Sequence, residues 1–241
     1  MQARVTPASA LVFGGTGAVG AEILRGLAHA GVPTAFTYHR SKEKAETLAG
    51  EFSHRAFHCD LAKPEAIRAL LQKLDQEGIS PTVFIHCAAV SRFLSIDQIS
   101  DDDWQMTHAV NCHSAFVACQ QLAPYMASKN EGHVVLVGAL DRSQSIPAPI
   151  HFAASQGMLS AMTMALAKEL GPKGIRVNMV ALGVLNSGLS RELSPTLVAD
   201  YKTYSAMRRI GTPAEAAKAI LWLALENTYM NGKVLSVNGG I

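Results

Sequence analysis

The chain has 241 residues, of which 49% are hydrophobic, so it is long enough to bury one large core without a second domain. Its 21 basic and 19 acidic residues leave a formal net charge of +2, which gives no electrostatic basis for binding nucleic acid. We therefore expect a single domain over residues 1–241.

The cysteines and the N-terminal segment favour a cytoplasmic protein. Residues 1–10 lack the charged-then-apolar plan of a signal peptide, and no apolar run approaches the roughly 20 residues that a membrane-spanning helix needs. The four cysteines form no Cys-x-x-Cys pair, which is typical of reduced, buried thiols; they are Cys59, Cys87, Cys112 and Cys119. We expect a soluble, cytoplasmic protein with neither a membrane nor a nucleic acid as its partner.

A glycine-rich turn follows the first predicted strand, Ala10–Phe13, and precedes a helical pattern over Ala21–Ala30. In this context glycines let the backbone approach a pyrophosphate, and the helix N-terminus presents free N–H groups and partial positive charge to it. The alternative is an ordinary tight turn. The residues that we predict to contact a dinucleotide here are Gly14, Gly15, Thr16, Gly17, Val19 and Gly20.

The second predicted strand, Val32–Tyr38, is followed by Arg40 and by no acid. An NAD-preferring site places an acid about 20 residues after the glycines, where it holds the ribose hydroxyls. Arg40 could instead clamp a 2′-phosphate with two hydrogen bonds, with Lys42 nearby. The alternative is that both cations are solvated while Ser41 caps the next helix. The phosphate interpretation predicts NADP(H) as the cofactor.

The rest of the chain alternates between apolar strands and helical patterns. Further strands are predicted over His54–Cys59, Thr82–Cys87, His133–Val137, Ile175–Ala181 and Val234–Gly240. Further helices are predicted from Pro64, from Asp101, over Phe152–Leu170 and from Pro213, with Thr212 as its cap. This alternation predicts an α/β protein, a single-domain Rossmann-type doubly wound parallel sheet of about seven strands with helices on both faces.

The stretch 139–156 joins the fifth predicted strand to the long helix after it. With the glycine turn and the alternating elements, it makes the whole chain resemble the short-chain dehydrogenase/reductase family, particularly its 3-oxoacyl-thioester reductases. That family carries a Ser after the fifth strand and Tyr-x-x-x-Lys on the next helix. Aligned by these flanks, the Ser falls on Ala139, the Tyr on Phe152 and the Lys on Gln156. The resemblance therefore implies an active site that lacks three chemical groups.

The resemblance also implies roles for residues outside this stretch. Asn111 matches the family's active-site Asn, which helps to hold a proton-relaying water, and it is the one catalytic position retained. Asp60 matches an Asp that meets the adenine amine, and Ser187 is placed to contact the nicotinamide amide. A substrate lid follows over residues 188–210. The other implied cofactor contacts are Leu61, Ala88 and Ala89, the last two at the end of a segment that reads Asn-Asn-Ala-Gly in the family.

The three substitutions remove the groups that move a proton in this family. There the Tyr protonates the carbonyl during hydride transfer, the Lys lowers the Tyr pKa and bonds the ribose, and the Ser polarises the carbonyl. A general acid contributes about 10²- to 10⁴-fold and an oxyanion donor about 10²- to 10³-fold. The resemblance thus implies a catalytically impaired protein of the 3-oxoacyl reductase type. We expect a non-catalytic subunit in a homo- or hetero-oligomer with a reductase paralogue, with acyl carrier protein as a further partner. The helices from Asn111 and Phe152 would build the subunit contact.

Two other functions stay open. One is an active NADPH-dependent reductase of 3-oxoacyl thioesters whose catalytic groups have moved. Neighbouring helix residues point about 100° apart, so His151 would not take the place of the Phe152 ring. The relocated groups considered for this enzyme are His151, Asp141, Ser143, Ser145 and Ser155. The other function is a non-redox enzyme on the same fold.

Two further sets of side chains have plainer interpretations. Met158 and Met162 form a helical stripe that we interpret as a subunit contact. A second set lacks the compact spacing of metal ligands, so no metal site is predicted from His108, Cys112, His113 and Cys119.

Overall fold

The computed structural model describes residues 9–139 and 147–241. Within them one parallel sheet contains β1 (Ala10–Phe13), β2 (Thr34–Tyr38), β3 (Arg55–His58), β4 (Val83–His86), β5 (Gly132–Ala139), β6 (Ile175–Leu182) and β7 (Val234–Val237). The order across the sheet is β3-β2-β1-β4-β5-β6-β7. The predicted Rossmann-type doubly wound sheet is confirmed. Its strand order reverses between β1 and β4, and folds of this kind bind ligands at the carboxyl ends of the strands beside that point.

Helices cover both faces of the sheet. They are α1 (Ala18–His29), α2 (Lys42–Phe52), α3 (Pro64–Gln76), α4 (Asp101–His108), α5 (Ser114–Lys129), α6 (Ile150–Leu170), α7 (Pro195–Tyr204) and α8 (Pro213–Leu225). One buried apolar cluster joins the sheet to α3, α5 and α6, and a second joins it to α1, α2 and α8. The inner strands of the sheet, such as β1 and β4, are therefore buried on both sides, which explains why they read as continuous apolar runs.

The strand β5 extends two residues beyond its predicted end at Val137. Ala139 is its last residue and pairs with Leu182 of β6, so the backbone at this position is fixed by the sheet. The helix α6 begins at Ile150, slightly before its predicted start. With these bounds, the predicted site position Ala139 lies on β5, and the positions Phe152 and Gln156 lie on α6.

Two predicted helix starts give different results. Thr212 caps α8, because its side chain accepts a hydrogen bond from the Glu215 N–H and Glu215 bonds back to the Thr212 N–H. Ser41 stands at the N-cap of α2, but its side chain makes no capping bond, so that part of the alternative for the Arg40 region is wrong. The predicted lid segment contains a short 3₁₀ helix, Gly188–Glu192, and α7.

Exposure separates residues that the sequence pattern groups together. Met158 is exposed, whereas Met162 is partly buried and packs against the core, so the two residues of the predicted subunit contact differ in exposure. Cys87 is half-buried, unlike the other three cysteines. In the described part of the chain, no helix combines the length and apolar character required to cross a bilayer.

His86, the last residue of β4, is fully buried. Ser114 Oγ donates a hydrogen bond to the Val110 carbonyl at 2.7 Å, so it accepts one from His86 Nε2, which lies 2.6 Å away. The other ring nitrogen, Nδ1, has no hydrogen-bond partner among the described residues. Burial lowers the pKa of His86 from 6.5 to about 4, and the ring is therefore neutral at pH 7.

We predict that His86 makes the folded protein less stable as the pH falls from 6.5 to 4. In that window the unfolded chain binds a proton at His86 and the folded chain does not, at a cost of about 3 kcal/mol by pH 4. In urea unfolding, His86→Asn should therefore lose stability less steeply over this window than the wild type. The exposed substitution His39→Asn is the control, and equal slopes for wild type and His86→Asn would contradict the assignment.

Candidate functional site

The glycine turn between β1 and α1 is held in place by Thr37 of β2. The Gly14 N–H donates to Thr37 Oγ1 at 3.1 Å, and the Gly15 N–H donates to the Thr37 carbonyl, also at 3.1 Å. The Gly17 N–H closes the turn on the Gly14 carbonyl at 3.0 Å. The sequence pattern did not identify Thr37, because its hydroxyl reaches the turn from a neighbouring strand.

Three glycines of the turn stand where side chains have no room. Gly14 has φ +80°, and a Cβ there would lie 2.8 Å from the backbone of Ala88, after β4. A Cβ at Gly15 would lie 2.5 Å from the Phe36 ring, and one at Gly20 would collide with the Gly14 carbonyl oxygen. The turn therefore needs glycine for close backbone packing, and this packing sets the start of α1.

The start of α1 offers unused hydrogen-bond donors. Its N-cap, Gly17, makes no side-chain capping bond, and no acid stands in the first turn. The first N–H groups of a helix have no intrahelical partner, and together they carry partial positive charge. The predicted nucleotide contacts Thr16 and Val19 lie on this turn and are partly exposed. The arrangement is chemically suited to an anionic group.

The charged residues after β2 and β3 differ in whether they form ion pairs or hydrogen bonds within the protein. Arg40 is exposed and forms no ion pair with any described residue, whereas Lys42 Nζ lies 3.7 Å from Glu46 Oε1. Asp60 is held by the Ala62 N–H, which donates to its Oδ1 at 3.1 Å, and by Lys63 at 3.6 Å. Among the described residues that directly follow β2 and β3, Arg40 is thus a cation without an ion pair, and Asp60 is a fixed acceptor.

A cavity of about 380 Å³, called the apolar cavity below, opens where β5, α6 and the segment after β6 meet. It brings together the predicted positions Gly17, Val19, Ala89, Ala139, Phe152, Gln156 and Ser187. Its other walls include apolar side chains from the lid and neighbouring loops, among them Phe93, Val184, Leu185, Leu189 and Leu193. Among the described lining residues, none is acidic, basic or a tyrosine.

Gln156 is the residue that ties α6 to β5 at the wall of this cavity. It is only 2% exposed, and its Oε1 accepts a hydrogen bond from the Ala139 N–H at 2.8 Å. Its Nε2 donates to Ser155 Oγ at 3.1 Å. Gly138 makes room for this contact, since a Cβ there would lie 2.5 Å from Gln156 Oε1. The amide of Gln156 is thus bound to the protein at both of its polar atoms.

Asn111 lies behind the cavity wall, within a single π-helical turn, Ala109–His113. Its Oδ1 accepts from the Val90 N–H at 2.8 Å, and its Nδ2 donates to the Val90 carbonyl at 2.9 Å and to Ser155 Oγ at 3.1 Å. Ser155 Oγ in turn donates to the Phe152 carbonyl at 2.7 Å. A continuous buried network, Ala139–Gln156–Ser155–Asn111–Val90, therefore joins β5, α6, the π-helical turn and the loop after β4.

The candidate relocated groups lie elsewhere or outside the described residues. His151 is fully buried but does not line the apolar cavity, in agreement with the helical spacing, and burial lowers its pKa. Asp141, Ser143 and Ser145 fall outside the described residues. Cys87 does line the cavity, but burial raises the pKa of its thiol to about 12. In residues 9–139 and 147–241, no cluster of three or more His, Cys, Asp or Glu could hold a metal ion.

The chain is similar to known proteins in both its sequence and its structure. A family model described as enoyl-(acyl carrier protein) reductase matches residues 15–241. Nodulation protein G of Rhizobium sp. (strain N33) is 28% identical over 99% of this chain and 98% of its own length. The 3-oxoacyl-(acyl-carrier-protein) reductase FabG of Chlamydia muridarum is 26% identical over the full length of both chains. A short-chain dehydrogenase/reductase from Serratia marcescens has a similar structure, with a TM-score of 0.90 and 27% identity over 98% of each chain.

We predict that Gln156→Met lowers the free energy of unfolding by about 1 to 3 kcal/mol, because the Ala139 N–H loses its acceptor in a partly buried place. Met has a similar volume, so packing changes little. Urea unfolding measures the effect, with Gln72→Met on the exposed face of α3 as the matched control. Equal stabilities for the two variants would mean that the Gln156 bond contributes nothing.

Proposed function

Because the chain belongs to the short-chain dehydrogenase/reductase family, we propose that it is an NADP(H)-binding member of the ketoreductase type without the usual acid–base catalysis. It would act as a non-catalytic subunit of a reductase oligomer. The observation that carries this proposal is the Gln156 amide, which stands at the family's Lys position and is bound to Ala139 and Ser155.

The described walls of the apolar cavity offer no replacement for the lost proton donor. Carbonyl reduction needs a hydride on carbon and a proton on oxygen. The Phe152 ring has no acidic hydrogen, Ala139 has no hydroxyl, and Gln156 carries no charge that could lower a neighbouring pKa. The remaining hydroxyls on the wall are those of Ser91, Ser187 and Ser190, which are weak acids with no base among the described lining residues. This composition supports impaired catalysis.

The nucleotide half of the site offers the chemical groups that would bind a dinucleotide. NADP(H), when bound, supplies hydride chemistry. The glycine turn leaves room for a phosphate beside the uncapped start of α1, and Arg40 has an unpaired guanidinium for a 2′-phosphate. Asp60 would accept from the adenine amine, and Ser187 would face the nicotinamide amide. Gln156 is engaged with the protein, so we expect the adenosine half to supply most of the affinity.

An exposed apolar surface supports the oligomer. The side chains of Trp104, Met106, Phe116, Met158 and Met164, on α4, α5 and α6, are each more than a third exposed. Large exposed apolar side chains on neighbouring helices are typical of subunit contacts. The relatives named 3-oxoacyl-(acyl-carrier-protein) reductase make a reductase paralogue the natural second subunit, with acyl carrier protein as its substrate carrier.

We predict that the wild type binds NADPH more tightly than NADH and that Arg40→Gln removes this preference. The NADPH affinity should fall about tenfold, equivalent to roughly 1.4 kcal/mol, while the NADH affinity stays the same. Fluorescence titration combined with thermal shift measures both. Arg68→Gln, on the exposed face of α3, is the control. Binding of neither nucleotide would overturn the cofactor assignment, and equal weakening of both would overturn the role of Arg40.

We predict that the wild type does not oxidise NADPH with a 3-oxoacyl thioester, and that restoring the three groups creates this activity. The variant Ala139→Ser, Phe152→Tyr, Gln156→Lys should turn over at least about 10²-fold faster than the wild type, because proton donation is regained. The control is the double variant with Phe152 unchanged. Product analysis by mass spectrometry detects reduction directly. Clear turnover by the wild type would mean that other groups do the chemistry.

We predict that the protein from its native host co-purifies with a reductase of the same family. Phe116→Asp combined with Met158→Asp should abolish this association, because it places charges in the proposed contact. Tyr229→Asp, at a fully exposed site on another surface, is the control. Mass spectrometry identifies the partner, and recovery of homo-oligomers alone would contradict the partner assignment.

A further inference from the structure

A second depression lies beside the start of α1 and has a volume of about 420 Å³. We call it the basic recess, and its walls are Ala18, Ala21, Glu22, Lys44, Ser187, Gly188, Arg191 and Pro213. We propose that Lys44 and Arg191 bind the diphosphate of a dinucleotide, with Arg191 as a clamp that the lid segment supplies. This inference rests on the proposed nucleotide binding and assigns two residues that the glycine turn does not include.

The charges around the basic recess leave a positive excess. Lys44 and Arg191 are exposed and form no ion pair with any described residue. The acid in the wall, Glu22, is already engaged, because its Oε1 lies 2.6 Å from Arg25 Nη1 in the next turn of α1. Two free cations therefore face a wall whose carboxylate is neutralised by its neighbour. A group with two negative charges matches this balance.

The backbone that carries Arg191 is held by bonds on the protein side of the lid. Ser190 Oγ accepts from the Leu185 N–H at 3.2 Å, which folds the 3₁₀ helix Gly188–Glu192 back on the end of β6. The Asn186 N–H donates to the Gly211 carbonyl at 3.0 Å, and the Gly211 N–H donates to the Val184 carbonyl at 2.9 Å. These bonds hold the backbone of Arg191 at the wall of the basic recess.

The basic recess and the apolar cavity share walls. Ala18, Ser187 and Gly188 line both, so the two adjoin beside the uncapped start of α1, and we refer to them together as the cleft. One end of the cleft is apolar, and the other carries the two free cations. A reduced nicotinamide dinucleotide shows the same order of properties, since its uncharged dihydronicotinamide is joined to an adenosine through an anionic diphosphate. Arg191 and Lys44 then lie on the solvent side of the diphosphate, opposite the helix.

The test is isothermal titration of the wild type, Arg191→Gln and Arg40→Gln with NADPH, NADH and adenosine 2′-monophosphate, which lacks a diphosphate. We expect Arg191→Gln to weaken NADPH and NADH by the same factor, about threefold to tenfold, and to leave adenosine 2′-monophosphate unchanged. Arg40→Gln should instead weaken NADPH and adenosine 2′-monophosphate. Lys44→Gln should resemble Arg191→Gln with a smaller factor, and Arg191→Lys should keep most of the affinity. The exposed Arg68→Gln is the matched control.

The outcomes separate this inference from the function on which it rests. Unchanged affinity of Arg191→Gln for both dinucleotides overturns the diphosphate clamp while nucleotide binding stands. A lower affinity for NADPH alone also overturns the clamp, because Arg191 would then bind the 2′-phosphate. Failure of the wild type to bind either dinucleotide overturns both proposals together. A shallower salt dependence of NADH binding in Arg191→Gln than in the wild type would support the clamp.

Discussion

The hydrogen bond from the Ala139 N–H to Gln156 Oε1, at 2.8 Å, joins the end of the central strand β5 to the long helix α6. Through Ser155 it continues to Asn111, and from there to both polar atoms of the Val90 backbone. This chain of hydrogen bonds thus fixes the strand, the helix, the π-helical turn and the loop that together form the back of the apolar cavity. Because every member is satisfied, this chain stabilises the cavity wall without needing an ion or a bound molecule.

The two ends of the cleft differ in the chemical groups that they present. At the β1–α1 turn, tight glycine packing and hydrogen bonds to Thr37 fix the start of α1, and Lys44 and Arg191 line the recess beside it. At the β5–α6 end, the polar atoms of Gln156 and Asn111 are turned inwards to the protein, and the described wall is mostly apolar. The described residues therefore favour an anion at the first end and include no charged side chain in the wall at the second. This contrast underlies the proposed role as a binding subunit.

Much of the architecture could be predicted from the sequence, because strand and helix signals are local. The apolar runs, the glycine turn and the Thr212 cap identified elements and their order. The end of β5 was missed because pairing with β6, a contact between distant residues, extends the strand to Ala139. Thr37 and Gly138 were missed for the same reason, since each contacts a residue far away in the chain. Helical spacing alone also did not show that Met162 is less exposed than Met158, because it does not say which side of the helix faces the core.

The Gln156 bond has an evolutionary consequence. A lone change of Gln156 to Lys would break the link to Ala139 at once, yet no rate would return while Phe152 still lacks a hydroxyl. A lone change of Phe152 to Tyr would place a phenol beside an amide that cannot ionise it. Each first step towards catalysis is thus neutral or harmful, and selection acting on single mutations has no rising path to follow. Under the proposed function, the structural role of Gln156 therefore opposes any return to catalysis by single mutations.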